Sequence, residues 1–509
     1  MRQKKLLCTL LVIALVSSDF IAAQKLSPKE IKGAAQDKFP DAVAALNTFL
    51  QIQNDGHYPD QVAHNLTWCE RLFSDLDFDM QVISTKGAPL LFAEKKFHPK
   101  GKTVLFYLQI DGQPVDPSQW DQPNPFLPVL KEYKDGTWQI IDFNRIKTEF
   151  DPDWRIFGRS TSDSKGPALS FITALQILKE KNIKPAYNVK VIMDFQEEMG
   201  SPQLPEAVKQ NKNLLKADML FIMDGTRHLS NLPTLTYGAR GIATATLKVY
   251  GPRYALHSGQ YGNFSPNPVF GMAKLLGGLK DEQGRVTLPG FYQGIILSDK
   301  DKAMLEKIPE NRDSLLAQLG IAQAEAIGNT YEEAMQFPSL NVRGLNAAWI
   351  GNEVRTIIPS EVTAEIDMRL VPESDGGRLM GLLKTYIEEN GYHLVDSVPT
   401  DEERRKFSKL ASFDYRLGSL PFRTDIDSEI GHFLNTALGK IFDDHIVNMR
   451  TTGGSQPIAP FISALGLPAV SIRIPNPDNS IHGPNENLRL GNFLEGIMGC
   501  LAILNEPIK

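Results

Sequence analysis

Four apolar runs, residues 103–110, 189–195, 219–223 and 468–474, are rich in β-branched and aromatic side chains and read as strands buried on both faces. Helical patterns at 165–181 and 456–465 fall between them. Alternation of buried strands with helices specifies an α/β fold, with helices covering a mostly parallel sheet. The middle of the chain differs. Residues 244–250 and 362–371 alternate polar and apolar side chains, as half-exposed antiparallel strands do, and 268–279 reads as a helix between them. The expectation is an α/β domain in two parts, residues 24–237 and 424–509, interrupted by a smaller α+β unit at 238–423. At roughly 150 residues per domain, a chain of 509 residues has room for more than one core.

Ahead of these elements, Arg2, Lys4 and Lys5 precede an apolar run at 6–16 and the small residues Ala22 and Ala23, the three-part layout of a secretory signal. Residues 1–23 are therefore expected to be a cleaved signal peptide and the protein to be secreted or periplasmic. The apolar run is short of the ~20 residues that span a bilayer, so no stable membrane insertion is expected. Lys plus Arg is 54 and Asp plus Glu is 60, a net charge of -6 that becomes -8 once residues 1–23 are removed. No basic surplus exists to neutralise a phosphate backbone, which excludes nucleic acid as a partner. Cys69 and Cys500 alone remain in the mature chain, too few for a disulfide framework or a thiolate metal site. Asn65-Leu66-Thr67 has the pattern of a glycosylation acceptor.

The chemistry lies where the buried runs stop. One leads into Gln109-Ile110-Asp111, another into Glu197-Glu198 and a third into Asp224. Ligands of open α/β sheets bind beyond the carboxyl ends of the strands, so these groups converge where a site is expected. Gly158-Arg159-Ser160-Thr161-Ser162-Asp163 adds an acid before a helix, and Ile481-His482-Gly483-Pro484-Asn485-Glu486 adds an imidazole after the last strand. Carboxylates gathered there would repel one another without a cation, and an Asp/Glu/His set suits zinc or another divalent ion. Each residue alone has a plainer explanation: Asp163 as a helix cap, Glu197-Glu198 as a solvated loop pair, Asp224 before Gly225 as a turn, His482 as a surface histidine.

In their order these motifs resemble the aminoacylase and carnosine-dipeptidase family of zinc metallopeptidases, most closely its dipeptidase branch. The resemblance runs from Gln109 through Asp116, Gly158 through Pro167, Glu197-Glu198-Met199-Gly200-Ser201 and Thr236 through Gly241. It continues in His257-Ser258-Gly259, Ile358-Pro359, Met368-Arg369-Leu370-Val371-Pro372, Gly453-Gly454-Ser455-Gln456-Pro457 and His482 with Asn485-Glu486. It implies a catalytic domain interrupted by a ferredoxin-like lid that also forms a homodimer. It implies two metal ions bridged by Asp163, with Glu198 and His482 completing one and Asp224 helping to hold the other. Glu197 would be the general base, taking a proton from a water made acidic by the ion and passing it to the leaving amine. Asp111 would orient the ligand two residues before it.

That ligand is a His in the family and Gln109 here. A neutral amide oxygen is a poorer zinc donor than imidazole and suits harder ions. One zinc ion, two ions, or manganese or cobalt in their place are all compatible with the resulting set, as is a non-catalytic peptide-binding descendant. The resemblance further implies that Arg369 binds the substrate carboxylate through bidentate pairing, that Thr356, Gly454 and Ser455 line the substrate pocket, and that His257 reaches the partner subunit's site to stabilise the developing oxyanion. The expected function is a metal-dependent dipeptidase or carboxypeptidase acting on small peptides with a free carboxyl end. An N-acyl-amino-acid deacylase is the alternative, since the same attack serves an acyl-amino-acid substrate.

Overall fold

The computed structural model describes residues 25–508, so the proposed signal at 1–23 lies outside the described residues. Eight strands form the central sheet: β1 (Asp79–Ile83), β2 (Leu90–Lys95), β3 (Thr103–Gln109), β4 (Asn188–Asp194), β5 (Met219–Ile222), β6 (Thr234–Thr236), β7 (Val447–Met449) and β8 (Ala469–Arg473), in the spatial order β1-β2-β4-β3-β5-β8-β6-β7. The inner strands β4, β3, β5 and β8 are mutually parallel, whereas β1 and β2 are antiparallel to their neighbours and β6 runs against β8. The four strands expected from sequence are these inner ones, each within a residue or two of the expected limits.

Strand β3 shows why the sheet is covered twice. Val104, Phe106 and Leu108 enter one apolar cluster with helices Pro28–Leu50, Gly166–Glu180 and Leu490–Asn505, while Leu105 and Tyr107 enter another with Leu204–Gln210 and Ala459–Leu465. Alternate side chains leave opposite faces of a strand, so a continuous apolar run requires a core on each side.

The middle unit is a second sheet, in the order Ser339–Asn346, Glu361–Leu370, Gly241–Tyr250, Leu410–Leu417, His393–Leu394. Gly241–Tyr250 alternates between buried and half-buried at every residue, which is the period-two pattern legible in its sequence. Its buried face packs on helices Pro268–Gly277 and Gly376–Glu389. A two-residue ribbon, Gly238–Ala239 paired with Phe422–Arg423, joins this lid to the central domain.

A third sheet was not expected from sequence and bears directly on the site. Strands Asn487–Arg489, Arg155–Phe157, Val129–Lys134 and Thr137–Ile141 lie side by side, with Asn487 opposite Phe157. The loop that leaves Phe157 and the loop that enters Asn487 therefore run together. These loops carry Asp163 and His482.

Packing decides the glycosylation pattern and the state of the two cysteines. Asn65 lies within helix Pro59–Asp75 at 1% exposure, its amide donating to the carbonyls of Gln53 and Gln61, so the glycosylation pattern is closed by packing. Cys69 and Cys500 are separate, buried free thiols, and burial pushes the Cys69 thiol up to about 12, leaving it inert as a nucleophile. Among the described residues no helix is long and apolar enough to cross a membrane.

Candidate metal centre

The paired loops and the end of β4 bring three donors together. His482 Nε2 lies 3.0 Å from Asp163 Oδ2 and 3.4 Å from Glu198 Oε2, and one ligand atom from each residue falls within 4.8 Å of the others. Glu198 Oε2 accepts from Gln113 Nε2 at 2.7 Å, while Glu198 Oε1 is buried with no hydrogen-bond partner. A buried oxygen without a donor beside an imidazole and a second carboxylate fits one divalent ion, zinc or manganese by donor type.

Asp163 is held for this role rather than for capping. Its φ of -125° and ψ of 87° are non-helical, Lys165 occupies the N-cap position of the following helix, and Asp163 turns its oxygens toward His482 and Ser164 Oγ. The clamp is Glu486, fully buried. Its carboxylate accepts the N–H groups of Ser160 and Ser162 at 2.8 Å and of Asp163 at 2.9 Å, together with Arg159 Nη1 at 2.8 Å. Sequence reading found Asn485-Glu486 as a motif match without seeing this positioning role. His482 itself sits in the left-handed region at φ 61°, a conformation that bulky residues keep only where surrounding structure imposes it.

The acids crowd one another in a buried cluster. Burial, then the charges of Asp163 and Asp111, pushes the Glu198 carboxyl up to about 10. Burial raises Glu197 well above its usual range, with Asp224, Asp163, Glu198 and Asp111 adding to it, and it raises Asp224 beside Asp163. The hydrogen bond to Asp163 raises His482, so its proton must leave before the ring can ligate a metal.

The remaining expected residues divide into three groups. Asp224 joins the centre through Ser164 Oγ, which lies 3.0 Å from both Asp163 Oδ1 and Asp224 Oδ1, and it accepts Gln456 Nε2 at 3.0 Å. Asp111 holds the Glu197-Glu198 turn, its oxygens accepting the Glu197 N–H at 2.9 Å and the Glu198 N–H at 3.1 Å. Gln109 ends β3 with its Nε2 buried and unpartnered. Arg369, on the lid strand Glu361–Leu370, crosses to the central domain, where its Nη1 donates to Ser455 Oγ at 3.1 Å. Ser455 precedes the Gln456 bound to Asp224, so a bonded path runs from Arg369 to the acidic cluster, and Gly454 beside it faces open space. His257 and Thr356 do not join this cluster. They lie exposed on the lid, where Leu256–His257 pairs with Ile357–Ile358 and the Ser258 N–H donates to the Thr356 carbonyl.

Comparison with known proteins identifies the family. The model of Peptidase family M20/M25/M40 matches residues 106–506. Beta-Ala-His dipeptidase of Mus musculus is 26% identical over 417 residues, covering 80% of this chain and 77% of that protein. Cys-Gly metallodipeptidase dug1 of Schizosaccharomyces pombe is 25% identical over 415 residues and covers 80% of each chain. The solved structure of the M20 family metallo-carboxypeptidase Sso-CP2 from Sulfolobus solfataricus has a TM-score of 0.75 at 25% identity, covering 91% of this chain and 98% of that one. With the family match spanning most of its length, the chain belongs to peptidase family M20/M25/M40 and is a peptidase.

Proposed function

We propose that this protein is a metal-dependent dipeptidase that cleaves the amide bond of a small peptide with a free C-terminal carboxylate. The observation that carries the reading is the Asp163, Glu198 and His482 donor set with Glu197 adjacent in sequence and Arg369 linked to its edge. A divalent ion held there would polarise the scissile carbonyl and acidify a water. Glu197 takes the water's proton on its carboxylate and delivers it to the leaving nitrogen. Asp111 holds the backbone N–H of Glu197 and fixes where that carboxylate points. Arg369 receives the substrate carboxylate, a group that a guanidinium binds bidentately once Ser455 yields one donor. Gln109 stands where the resembling family has a ligating His.

A panel of dipeptides, the same dipeptides amidated at the C-terminus, and N-acyl amino acids tests this, read by mass spectrometry with zinc, manganese or cobalt restored to stripped protein. The free dipeptides are expected to be cut. Loss of the substrate carboxylate in the amidated set removes a charge-assisted pair of about 1.5–3 kcal/mol, a fall of roughly 10- to 150-fold in kcat/KM. Cleavage of acyl amino acids alone would replace the peptidase reading with the deacylase one.

The exposed lid residues extend the proposal. His257 and Thr356 lie away from their own chain's donor set, so they act by completing a second copy's site, the lid forming a homodimer. Sedimentation that shows only monomer at working concentration removes that role.

A further inference from the structure

The end of the central sheet holds a buried cation that the proposed chemistry does not use. Parallel pairing sets Tyr107 opposite Ile222 and Ile222 opposite Ser471. Two residues further along the chain from each come Gln109 and Arg473, which end β3 and β8, and Asp224, just past the end of β5, so that the three cluster at the same end of the sheet. On the other side of Gln109 the pairing adds Asp194. Asp224 thus stands between a neutral amide and a guanidinium.

The chain makes room for this arrangement. Gly225 has a φ of +88°, and a Cβ there would lie 1.2 Å from Arg473 Nη1 and 2.4 Å from its Cζ, so the guanidinium occupies space that any side chain at 225 would fill. Arg473 is buried; its Nε donates to Thr236 Oγ1 at 3.2 Å, and its Nη2 has no partner. A guanidinium keeps its proton in proteins, so this is a permanent positive charge removed from water. Burial works against that charge, and Asp224 and then Asp163 are the groups that sustain it. The geometry points to Arg473 as the internal counter-ion of Asp224, occupying the electrostatic place of a second metal ion, so that each chain binds a single ion at Asp163, Glu198 and His482.

Two observations converge on this. A second dication between Asp163 and Asp224 would face a fixed cation across a low-dielectric interior, where like charges repel strongly. It would also find at Gln109 an amide in place of a charged or imidazole donor. The inference rests on the metallopeptidase reading for the first ion and adds to it the stoichiometry.

The test is metal counting, independent of turnover. Stripped wild-type protein is saturated with Mn(II), desalted and measured for manganese per chain, and its electron paramagnetic resonance spectrum is recorded. One ion per chain with the spectrum of isolated Mn(II) is expected. Two ions per chain, or a spin-coupled pair, overturns the inference, as does binding of none. Arg473→Met combined with Gln109→His is expected to gain a second ion, and a folded double variant that still holds one contradicts the role given to Arg473. Should that variant fail to fold, the wild-type count still decides. Peptide turnover in the same samples separates the two claims: two ions with cleavage defeats the inference alone, and one ion without cleavage defeats the peptidase reading alone.

Discussion

Glu197→Gln is expected to leave the fold and metal content intact and to lower kcat by about 10²–10⁴-fold, the usual contribution of a positioned general base. The substitution keeps the shape of the side chain and the Glu197 N–H that Asp111 accepts, and it removes only the ability to take a proton. Glu197 is not among the three converging donors, so the ion stays. Equal falls in kcat and kcat/KM with unchanged metal content would fit a group acting in the transition state. A variant that retains wild-type turnover would remove Glu197 from the mechanism.

Metal removal is the second large effect, and its pH dependence has a definite sign. Glu198 has its folded pKa at about 10, far above an unfolded carboxyl near 4.5, and His482 is also raised. Between those values the folded, metal-free protein binds more protons than the unfolded chain, so the stability contributed by these groups is full below about pH 4.5 and is lost as pH rises toward 10. The stripped protein should therefore melt at a lower temperature at pH 8 than at pH 6. Zinc should reverse that trend, since it replaces the protons and binds more tightly as they leave. At 100 times its Kd an ion adds about 2.7 kcal/mol. Asp163→Asn should abolish both the binding and the rescue, because it takes away the oxygen 3.0 Å from His482 Nε2. Calorimetric melting of wild type and variant across pH, with and without zinc, reads all of this. A stripped protein whose site-dependent stability grew toward pH 8 would contradict the cluster's electrostatics.

The sequence carries the sheet and the donors unevenly. Strand β3 is legible because an unbroken apolar run has one solution, burial on both faces, and Gly241–Tyr250 because alternation has another. Asp163, Glu198 and His482 were legible jointly, through their places after strands, and not individually. The cap reading of Asp163 fails because the loop before the helix is pinned at four points by Glu486, a contact between residues more than 300 apart that no local pattern encodes. Gln456 falls within the range expected for a helix, yet the helix starts at Ala459, which frees Gln456 to bind Asp224. Arg473 was hidden inside a run that otherwise reads as a buried strand, and Gly225 beside Asp224 reads as a turn signal. Only the tertiary approach of the two explains why each residue is there.

Turnover that depends on metal is the most direct measurement. Protein stripped by chelator and reloaded with zinc, manganese or cobalt should cut free dipeptides, while the stripped form and the Asp163→Asn variant should not and the Glu197→Gln variant should be slowed by about 10²–10⁴-fold. Cleavage that persists undiminished in stripped protein, or silence with every metal in protein shown to be folded and loaded, would contradict a metallodipeptidase.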